Sequence, residues 1–205
     1  MIWFTADTHF GHANVLGRNQ RPFDSIDQMN RQLIANINER VGSRDTLYVL
    51  GDFSYRTTVE EAARLRERIV CSKIVLVRGN HDKDWHGGCA SRAFADVLDY
   101  AEILPGYFNG TRACLSHYPM LSWNGQRRGS IMLHGHIHSA GSRYNRDNRD
   151  RGVLRYDVGV DANGYYPVSR NQILAFFKGV RPRGARFADQ DAALGAVAEE
   201  LAQDS

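Results

Sequence analysis

The sequence predicts a single-domain α/β protein, because segments typical of strands and of helices alternate along its 205 residues. Three short apolar runs, at residues 2–6, 47–50 and 74–77, have the length of buried strands. Polar residues that can bind metals follow each run within three positions. The segments between the runs carry apolar residues at the 3.6-residue spacing of an amphipathic helix.

The remaining elements are predicted from their first turns and from composition. Ser25, Thr58 and Ser169 each stand three positions before a Gln or Glu, the spacing of a helical capping box. Further strands are predicted at residues 97–104, 112–116, 131–134 and 154–160. Residues 143–155 hold five arginines and two aspartates, and we expect an exposed loop or hairpin there.

Residues 1–184 are predicted to form the domain, and residues 185–205, rich in Ala and acids, a C-terminal helix or tail. The first residues have no basic leader, and no apolar stretch reaches the length of about 20 residues that a membrane span needs. Cys71, Cys89 and Cys114 are odd in number and form no C-x-x-C pair, which favours a reducing cytoplasm. The net charge of +3 is too small to imply a polyanionic partner.

In open α/β sheets the loops at the carboxyl ends of the strands gather along one edge, where ligand sites form. Polar residues at predicted strand ends are, in chain order, Asp7, His9, Asp52, Asn80, His81, His117, His136 and His138. Carboxylates and imidazoles together suit divalent first-row metals such as Mn²⁺, Fe²⁺ and Zn²⁺. A single histidine is more often structural than a ligand, but so many at strand ends predict a metal site.

These residues form five ordered blocks: Asp-x-His, Gly-Asp, Gly-Asn-His-Asp, a lone His and Gly-His-x-His, between Asp7 and His138. In these blocks the sequence resembles the calcineurin-like metallophosphoesterase family. Residues 7–12, 116–119 and 159–161 look like its small bacterial and phage members. The resemblance implies a metallophosphoesterase-type β-sandwich of mixed sheets flanked by helices.

The resemblance also implies two divalent metal ions, with Mn expected first and Fe, Zn, Ni or Co as alternatives. One metal would be held by Asp7, His9, Asp52 and His138, and the other by Asp52, Asn80, His117 and His136. Asp52 would bridge them, and a hydroxide between the two ions would attack phosphorus.

The resemblance implies that His81 donates a proton to the leaving oxygen, with Asp82 orienting its ring. Arg78, and Arg143 with Arg146 from the arginine-rich segment, are weaker candidates for binding the substrate phosphate. Asp52 is followed by Phe53-Ser54-Tyr55, whereas the family often continues with an acidic or Gly-rich stretch. This difference does not affect the bridging residue itself.

The remaining histidines and Trp123 have weaker support as site residues. His12 either lines the site or is structural, whereas His134 is expected in the core and His86 in a solvated Gly-rich loop. Trp123 and Asn124 could form a rim on which a base stacks, although burial is the commoner fate of a Trp.

The leading functional hypothesis is a phosphodiesterase acting on a nucleotide or nucleic acid, because a complete ligand set, a proton donor and positive charge occur together. The first alternative is a phosphomonoesterase for a small metabolite or a phosphoprotein. The second, from a different class, is a metal-free binding scaffold of the same fold, which predicts gaps in the ligand set.

Overall fold

Two mixed β-sheets form the centre of the molecule, as seen in a computed structural model that describes residues 1–82, 85 and 93–182. The strands are β1 (Ile2–Thr5), β2 (Thr46–Val49), β3 (Lys73–Val77), β4 (Asp96–Leu98), β5 (Ala101–Ile103), β6 (Ala113–Leu115), β7 (Ile131–His134), β8 (Arg155–Asp157) and β9 (Val168–Ser169). The first sheet has the order β4-β3-β2-β1-β9 and the second β5-β6-β7-β8. The predicted tail 185–205, His86 and Cys89 lie outside the described residues.

Each sheet combines parallel and antiparallel pairs. β1 to β4 run parallel, whereas β9 pairs antiparallel with β1. In the second sheet β6, β7 and β8 are parallel, and β5 is antiparallel to β6. The parallel strands therefore place their carboxyl ends at a common edge in each sheet.

The alternation of side chains along the strands divides the core into two layers. Phe4, Leu50 and Val77 face the layer that also contains the apolar residues of the second sheet. Leu47 and Ile74, at alternate positions, pack instead in the layer that the helices cover. Burying each of these side chains contributes about 1.5–3 kcal/mol, so the central strands are apolar on both faces. The predicted sandwich flanked by helices is confirmed.

The helices are α1 (Asn14–Arg18), α2 (Ile26–Arg40), α3 (Val59–Glu67), α4 (Arg143–Asp150) and α5 (Arg170–Phe176), with 3-10 turns at Gln126–Arg128 and Val160–Asn163. The three predicted helix starts are confirmed. Thr58 and Ser169 begin α3 and α5 in complete capping boxes. Ser25 caps α2 by accepting a hydrogen bond from the Gln28 amide. Side-chain oxygens thus satisfy amides that the first helical turn leaves without partners.

Two predictions about the second half were wrong. Residues 97–104 do not form one strand, because the chain turns at Asp99 and Tyr100 and passes from β4 in the first sheet to β5 in the second. The arginine-rich segment is not a loop or hairpin but begins with helix α4. The buried Asn145 anchors that helix, since its amide donates to the Asp157 carbonyl and its oxygen accepts from the Asp157 amide.

The strand predicted at residues 154–160 is also shorter than expected. Only Arg155–Asp157 pairs as β8, and the chain then enters the 3-10 turn Val160–Asn163. None of the helices in the described part of the chain has the length and hydropathy needed to cross a membrane.

Candidate metal centre

The first part of the site is a backbone ladder that continues beyond β1 and β2. The Asp7 amide donates to the Gly51 carbonyl at 3.0 Å, and the His9 amide donates to the Asp52 carbonyl at 2.9 Å. Phe10 continues the ladder by donating to Phe53 at 2.9 Å. This pairing holds two candidate ligand segments, 7–9 and 51–52, beside each other at the carboxyl edge of the first sheet.

The second sheet supplies the remaining histidines to the same place. The His136 amide, just after β7, donates to both carboxylate oxygens of Asp7 at 3.1 and 3.0 Å. The Gly135 amide donates to the His117 carbonyl at 3.0 Å, which joins the ends of β6 and β7. The site therefore lies where the edges of the two sheets meet.

The backbone at the candidate ligands is unusual. Left-handed φ values occur at Asp7 (57°), His9 (49°), Asp52 (52°), His136 (73°) and His138 (46°). A non-glycine residue in this region costs about 1–2 kcal/mol, and such strain persists where the surrounding structure imposes it, often at functional sites. Five of the seven predicted ligands share this feature, which no residue pattern in the sequence reveals.

One group of ligand atoms consists of Asp7, His9 and His138, whose donor atoms lie within 4.8 Å of one another. The Nε2 atoms of His9 and His138 are 3.2 Å apart. Nδ1 of His138 donates to Asp161 at 2.7 Å, so that its Nε2 faces His9 with a free lone pair.

A second group consists of Asp7, Asp52 and His117, within the same limit of 4.8 Å. His117 Nε2 lies 3.1 Å from Asn80 Oδ1 and 3.2 Å from His136 Nδ1. Nδ1 of His117 donates to the Leu50 carbonyl at 2.9 Å, which leaves Nε2 available for a metal. The structure thus brings all seven predicted ligands together in two adjoining groups.

Asp52 lies between the two groups. Its Oδ2 is 3.5 Å from His9 Nε2 and 3.6 Å from His117 Nε2. Its Oδ1 accepts a hydrogen bond from the His81 amide at 3.0 Å, which fixes the carboxylate so that the other oxygen faces the histidines. Asp7, unlike Asp52, belongs to both groups, a shared position that the sequence did not indicate.

These distances fit divalent cations. Two ligand atoms that each lie about 2.1 Å from one cation are roughly 3.0–3.5 Å apart at tetrahedral or octahedral angles. The separations of 3.2 Å between His9 and His138, and of 3.1 Å between His117 and Asn80, fall in that range. The donor set of carboxylates, imidazoles and one amide is also one that divalent first-row metals accept.

The electrostatics of the site also favour a cation. Burial, together with the neighbouring charges of Asp157 and Asp52, raises the pKa of Asp7 well above its usual value. Burial, followed by the charge of His138, lowers the pKa of His9 to about 2. His9 is therefore neutral at physiological pH, as a metal ligand has to be, and a bound cation would relieve the repulsion among the buried carboxylates.

Arg21 and Asp161 support the ligands, although the sequence gave neither a role. Arg21 Nε and one of its terminal nitrogens donate to the two oxygens of Asp161, each at 2.8 Å. Arg21 also donates to the carbonyl oxygens of Asp7 at 2.7 Å and Thr8 at 3.2 Å. Burial raises the pKa of Asp161, but hydrogen bonds from His138 and Arg21 outweigh it, so the pKa is lowered and the carboxylate stays charged.

Asp82 is buried and holds three backbone amides around the site. Its oxygens accept hydrogen bonds from the amides of Asp52 at 2.5 Å, Phe53 at 3.0 Å and Gly79 at 2.8 Å. Burial raises the pKa of this carboxyl to about 7. Asp82 therefore fixes the loop that carries Asp52. The expectation that Asp82 also orients the His81 ring stays a prediction.

His81 lies beside the ligands without joining either group. Its Nε2 is 3.9 Å from Asp52 Oδ2, and its ring centroid is 5.5 Å from that of His9 and 3.9 Å from that of Tyr55. His12 is buried between His9 and Tyr55, with ring centroids 5.3 and 4.7 Å away. Of its two interpretations, the structure favours the one in which His12 lines the site.

The three arginines predicted to bind phosphate make other contacts. Arg78 Nε and a terminal nitrogen donate to Asp99 at 3.0 and 2.6 Å. Arg146 donates to the Ser142 hydroxyl on its own helix. The side chain of Arg143 is 86% exposed and lies 3.9 Å from Asp147, so the described contacts of Arg143 and Arg146 do not include the ligands.

Trp123 is not a stacking rim. Its ring is buried and its Nε1 donates to the Ser130 carbonyl at 3.1 Å, while the neighbouring Asn124 amide donates to Glu102. His134 is completely buried, as expected of a core residue.

The fold and the ligand cluster at the common edge of its sheets define a metal-dependent hydrolase. The sequence model of calcineurin-like phosphoesterases matches residues 1–186, and the chain belongs to this family. It is accordingly a metal-dependent phosphoester hydrolase. The alternative of a scaffold with gaps in its ligand set does not agree with the seven residues found together.

Several relatives share most of the chain. The uncharacterized protein MJ1445 of Methanocaldococcus jannaschii is 33% identical over 174 residues, which cover 84% of this chain and 89% of that protein. The Gene 66 protein of Mycobacterium phage D29 is 32% identical, covering 67% of this chain and 78% of that protein. Among solved structures, the protein of unknown function AQ665 from Aquifex aeolicus superposes with a TM-score of 0.67 at 27% identity, covering 84% of this chain and 97% of that one.

Proposed function

We propose that the protein is a phosphodiesterase that works with two metal ions and uses His81 as its general acid. The position of Asp52 carries this proposal. One oxygen of this carboxylate lies at nearly equal distances, 3.5 and 3.6 Å, from histidines of the two ligand groups. A carboxylate in that position can hold two cations side by side and offset part of their mutual repulsion.

Two divalent cations at this centre would supply an activated water molecule and neutralise the phosphoryl oxygens of the substrate. Asp7, His9 and His138 would hold one of them, and Asn80, His117 and His136 the other, with Asp52 shared. Asn80 and His136 are exposed, which leaves the second group open to a substrate from the surface.

The exposure of His81 supports its proposed role as the donor of a proton to the leaving oxygen. Its side chain is 28% exposed, whereas those of His9 and His117 are 3% and 1% exposed, so its ring can reach a bound ester. Its Nε2 lies 3.9 Å from Oδ2 of Asp52, the carboxylate proposed to be shared by the two cations, so the ring is close to the reacting phosphate. A protonated imidazole can transfer its proton to the leaving oxygen as the ester bond breaks. The leaving group then departs as a neutral alcohol and not as an alkoxide.

A diester has two organic groups, and the site offers a surface for each. A pocket of about 200 Å³ lies on one side, lined by His81, Tyr55 and the residues that follow. On another side Tyr118, 48% exposed, contacts the rings of His117 and His136 at centroid distances of 5.0 and 4.7 Å. These surfaces favour a diester with ring-bearing groups, such as a nucleotide or nucleic acid.

We propose Mn²⁺ as the working metal, because a mixed set of carboxylates, imidazoles and an amide suits it, with Fe, Zn, Ni and Co as alternatives. Cytoplasmic localisation is part of the same proposal. The described cysteines, Cys71 and Cys114, are both free and buried, which fits a reducing compartment.

Hydrolysis of two synthetic esters tests the proposal. With Mn²⁺ added, purified protein is expected to have a higher kcat/KM on bis-p-nitrophenyl phosphate than on p-nitrophenyl phosphate. Elemental analysis in parallel is expected to find two metal ions per chain. A clear preference for the monoester would replace the diesterase with a phosphomonoesterase, and one ion per chain would contradict the dinuclear centre.

A further inference from the structure

The loop after Asp52 forms a pocket beside the proton donor. The pocket has a volume of about 200 Å³ and is lined by Ser54, Tyr55, Arg56, Thr57, Val59, His81 and Trp85. Its walls therefore combine two aromatic rings, three hydroxyl groups and one guanidinium group. Since the general acid has to face the leaving group of the ester, a pocket that includes His81 lies on the leaving-group side.

The pocket is built on the same backbone ladder as the ligands. Beyond the pairing of His9 with Asp52, Phe10 forms a parallel bridge with Ser54, and the Tyr55 amide donates to the Phe10 carbonyl at 3.2 Å. The Tyr55 ring then packs against His81 at a centroid distance of 3.9 Å. Any group bound in the pocket is thus held at a fixed position relative to Asp52 and His81.

Arg56 provides the positive charge of the pocket. Its backbone has a left-handed φ of 56°, a conformation that a side chain other than glycine adopts at a cost. The residue is exposed, and its guanidinium carbon lies 5.5 Å from the centre of the Tyr55 ring. A guanidinium at an aromatic wall can bind the phosphate of a group whose ring occupies the pocket.

We propose that this pocket binds the leaving group of the diester, and that the leaving group is a nucleotide residue whose second phosphate is bound by Arg56. The volume of about 200 Å³ is below the 300–1,000 Å³ typical of sites for whole drug-sized ligands, so it suits one ring-bearing unit. The inference rests on the proposed phosphodiesterase function and narrows its substrate to a chain of linked nucleotides.

Dinucleotides with and without a terminal phosphate test the inference. Wild-type protein with Mn²⁺ is assayed on TpT, pTpT and TpTp, and product analysis shows which nucleoside leaves. We expect the substrate with the phosphate on the leaving nucleoside to have a kcat/KM about ten- to a hundredfold higher than TpT, the effect of one charge-assisted hydrogen bond. Arg56→Gln is expected to lose that preference.

Arg64→Gln is the matched control, because Arg64 is an exposed arginine of the neighbouring helix α3 that does not line the pocket. It should keep the wild-type preference. Direct binding of thymidine 3′,5′-bisphosphate, measured by titration calorimetry, should weaken by about the same factor in Arg56→Gln alone.

The inference would be overturned if wild type and Arg56→Gln showed the same preference for the substrate with the terminal phosphate. It would also be overturned if the terminal phosphate did not change kcat/KM in the wild type. Hydrolysis of bis-p-nitrophenyl phosphate separates this failure from a failure of the proposed function. A wild type active on that ester but without the preference contradicts only the pocket assignment. A wild type inactive on it contradicts the diesterase, and the pocket assignment with it.

Discussion

At the residue scale, His81 differs from the buried histidines of the site in exposure and in partners, and this difference supports the separate role proposed for it. We expect His81→Ala to keep both metals and to lose about 10²–10⁴-fold in kcat on TpT, whose leaving alkoxide needs a proton. The loss on bis-p-nitrophenyl phosphate should be much smaller, since p-nitrophenolate leaves without one. Steady-state kinetics on the two esters, with elemental analysis of the variant, measure both effects. Equal losses on the two esters would exclude the general-acid role.

Asp161 contacts the candidate metal centre through His138. Its carboxylate accepts the Nδ1 proton of that histidine at 2.7 Å and is itself held by Arg21, whose side chain is fully buried. Removing the charge leaves His138 less well oriented and a less basic ligand.

We therefore expect Asp161→Asn to weaken one of the two metal sites about 10- to 100-fold, because partners of ligating histidines commonly have effects of this size. Titration calorimetry with Mn²⁺ should resolve one weakened and one nearly unchanged site. Asp147→Asn, which removes an exposed carboxylate on α4, serves as the control. Two unchanged affinities in Asp161→Asn would show that Asp161 does not position the ligand.

At the element scale, the sequence predicted those features that depend on neighbours along the chain. The caps at Ser25, Thr58 and Ser169 depend on contacts three residues away, and the central strands on runs of apolar residues. The convergence of Asp7, Asp52 and Asn80 followed from one general rule about parallel strands, since the ends of β1, β2 and β3 share an edge.

What the sequence did not predict depends on distant partners. Arg21 and Asp161 are 140 positions apart, so no local pattern connects them. Helix α4 was missed because its arginines suggested solvent, whereas the buried Asn145 and Asn148 fix it against β8. The turn at Asp99 was missed because β4 and β5 follow each other directly along the chain. Their residues read as one continuous strand, although the two strands belong to different sheets.

The junction between β7 and β1 gives an element-scale prediction. A Cβ at Gly135 would lie 2.5 Å from the Cβ of Ala6 and 2.7 Å from Asp7 Oδ2, closer than side-chain contacts allow. Gly135→Ala should therefore push the end of β7 away from β1, reduce metal content, and destabilise the protein by about 1–3 kcal/mol. Urea unfolding and elemental analysis measure the two losses. Gly106→Ala, where the added Cβ meets no atom within 4 Å, should change neither.

At the scale of the whole molecule, the metal centre joins the two sheets. Asp7, His9 and Asp52 follow strands of the first sheet, whereas His117 and His136 follow strands of the second. Each ion that binds only the folded protein stabilises it by about 2.7 kcal/mol at a hundred times its Kd. For a chain of 205 residues this corresponds to roughly 5–10 °C in Tm.

The pH dependence of this stabilisation follows from the buried Asp7. Its pKa is raised, by burial first, so the metal-free fold keeps the Asp7 proton at pH values where the unfolded chain has released it. The stability that this proton contributes is present at low pH. It is lost as the pH rises through the pKa that Asp7 has in the folded, metal-free protein. A cation has to displace the same proton, so metal affinity falls as the pH is lowered. His9, with its pKa lowered to about 2, adds no competing proton in this range.

We therefore expect Mn²⁺ to raise the Tm of chelator-treated protein by more at about pH 7.5 than at about pH 5.5. Calorimetric melts with Mn²⁺ or EDTA at the two pH values measure the difference. Metal titrations in two buffers of different ionisation enthalpy should also show proton release on binding. We expect this proton to come from Asp7, because its carboxylate belongs to both ligand groups and its pKa is raised. Equal Tm shifts at the two pH values, together with the same binding enthalpy in both buffers, would show that Asp7 is already ionised before the metals bind.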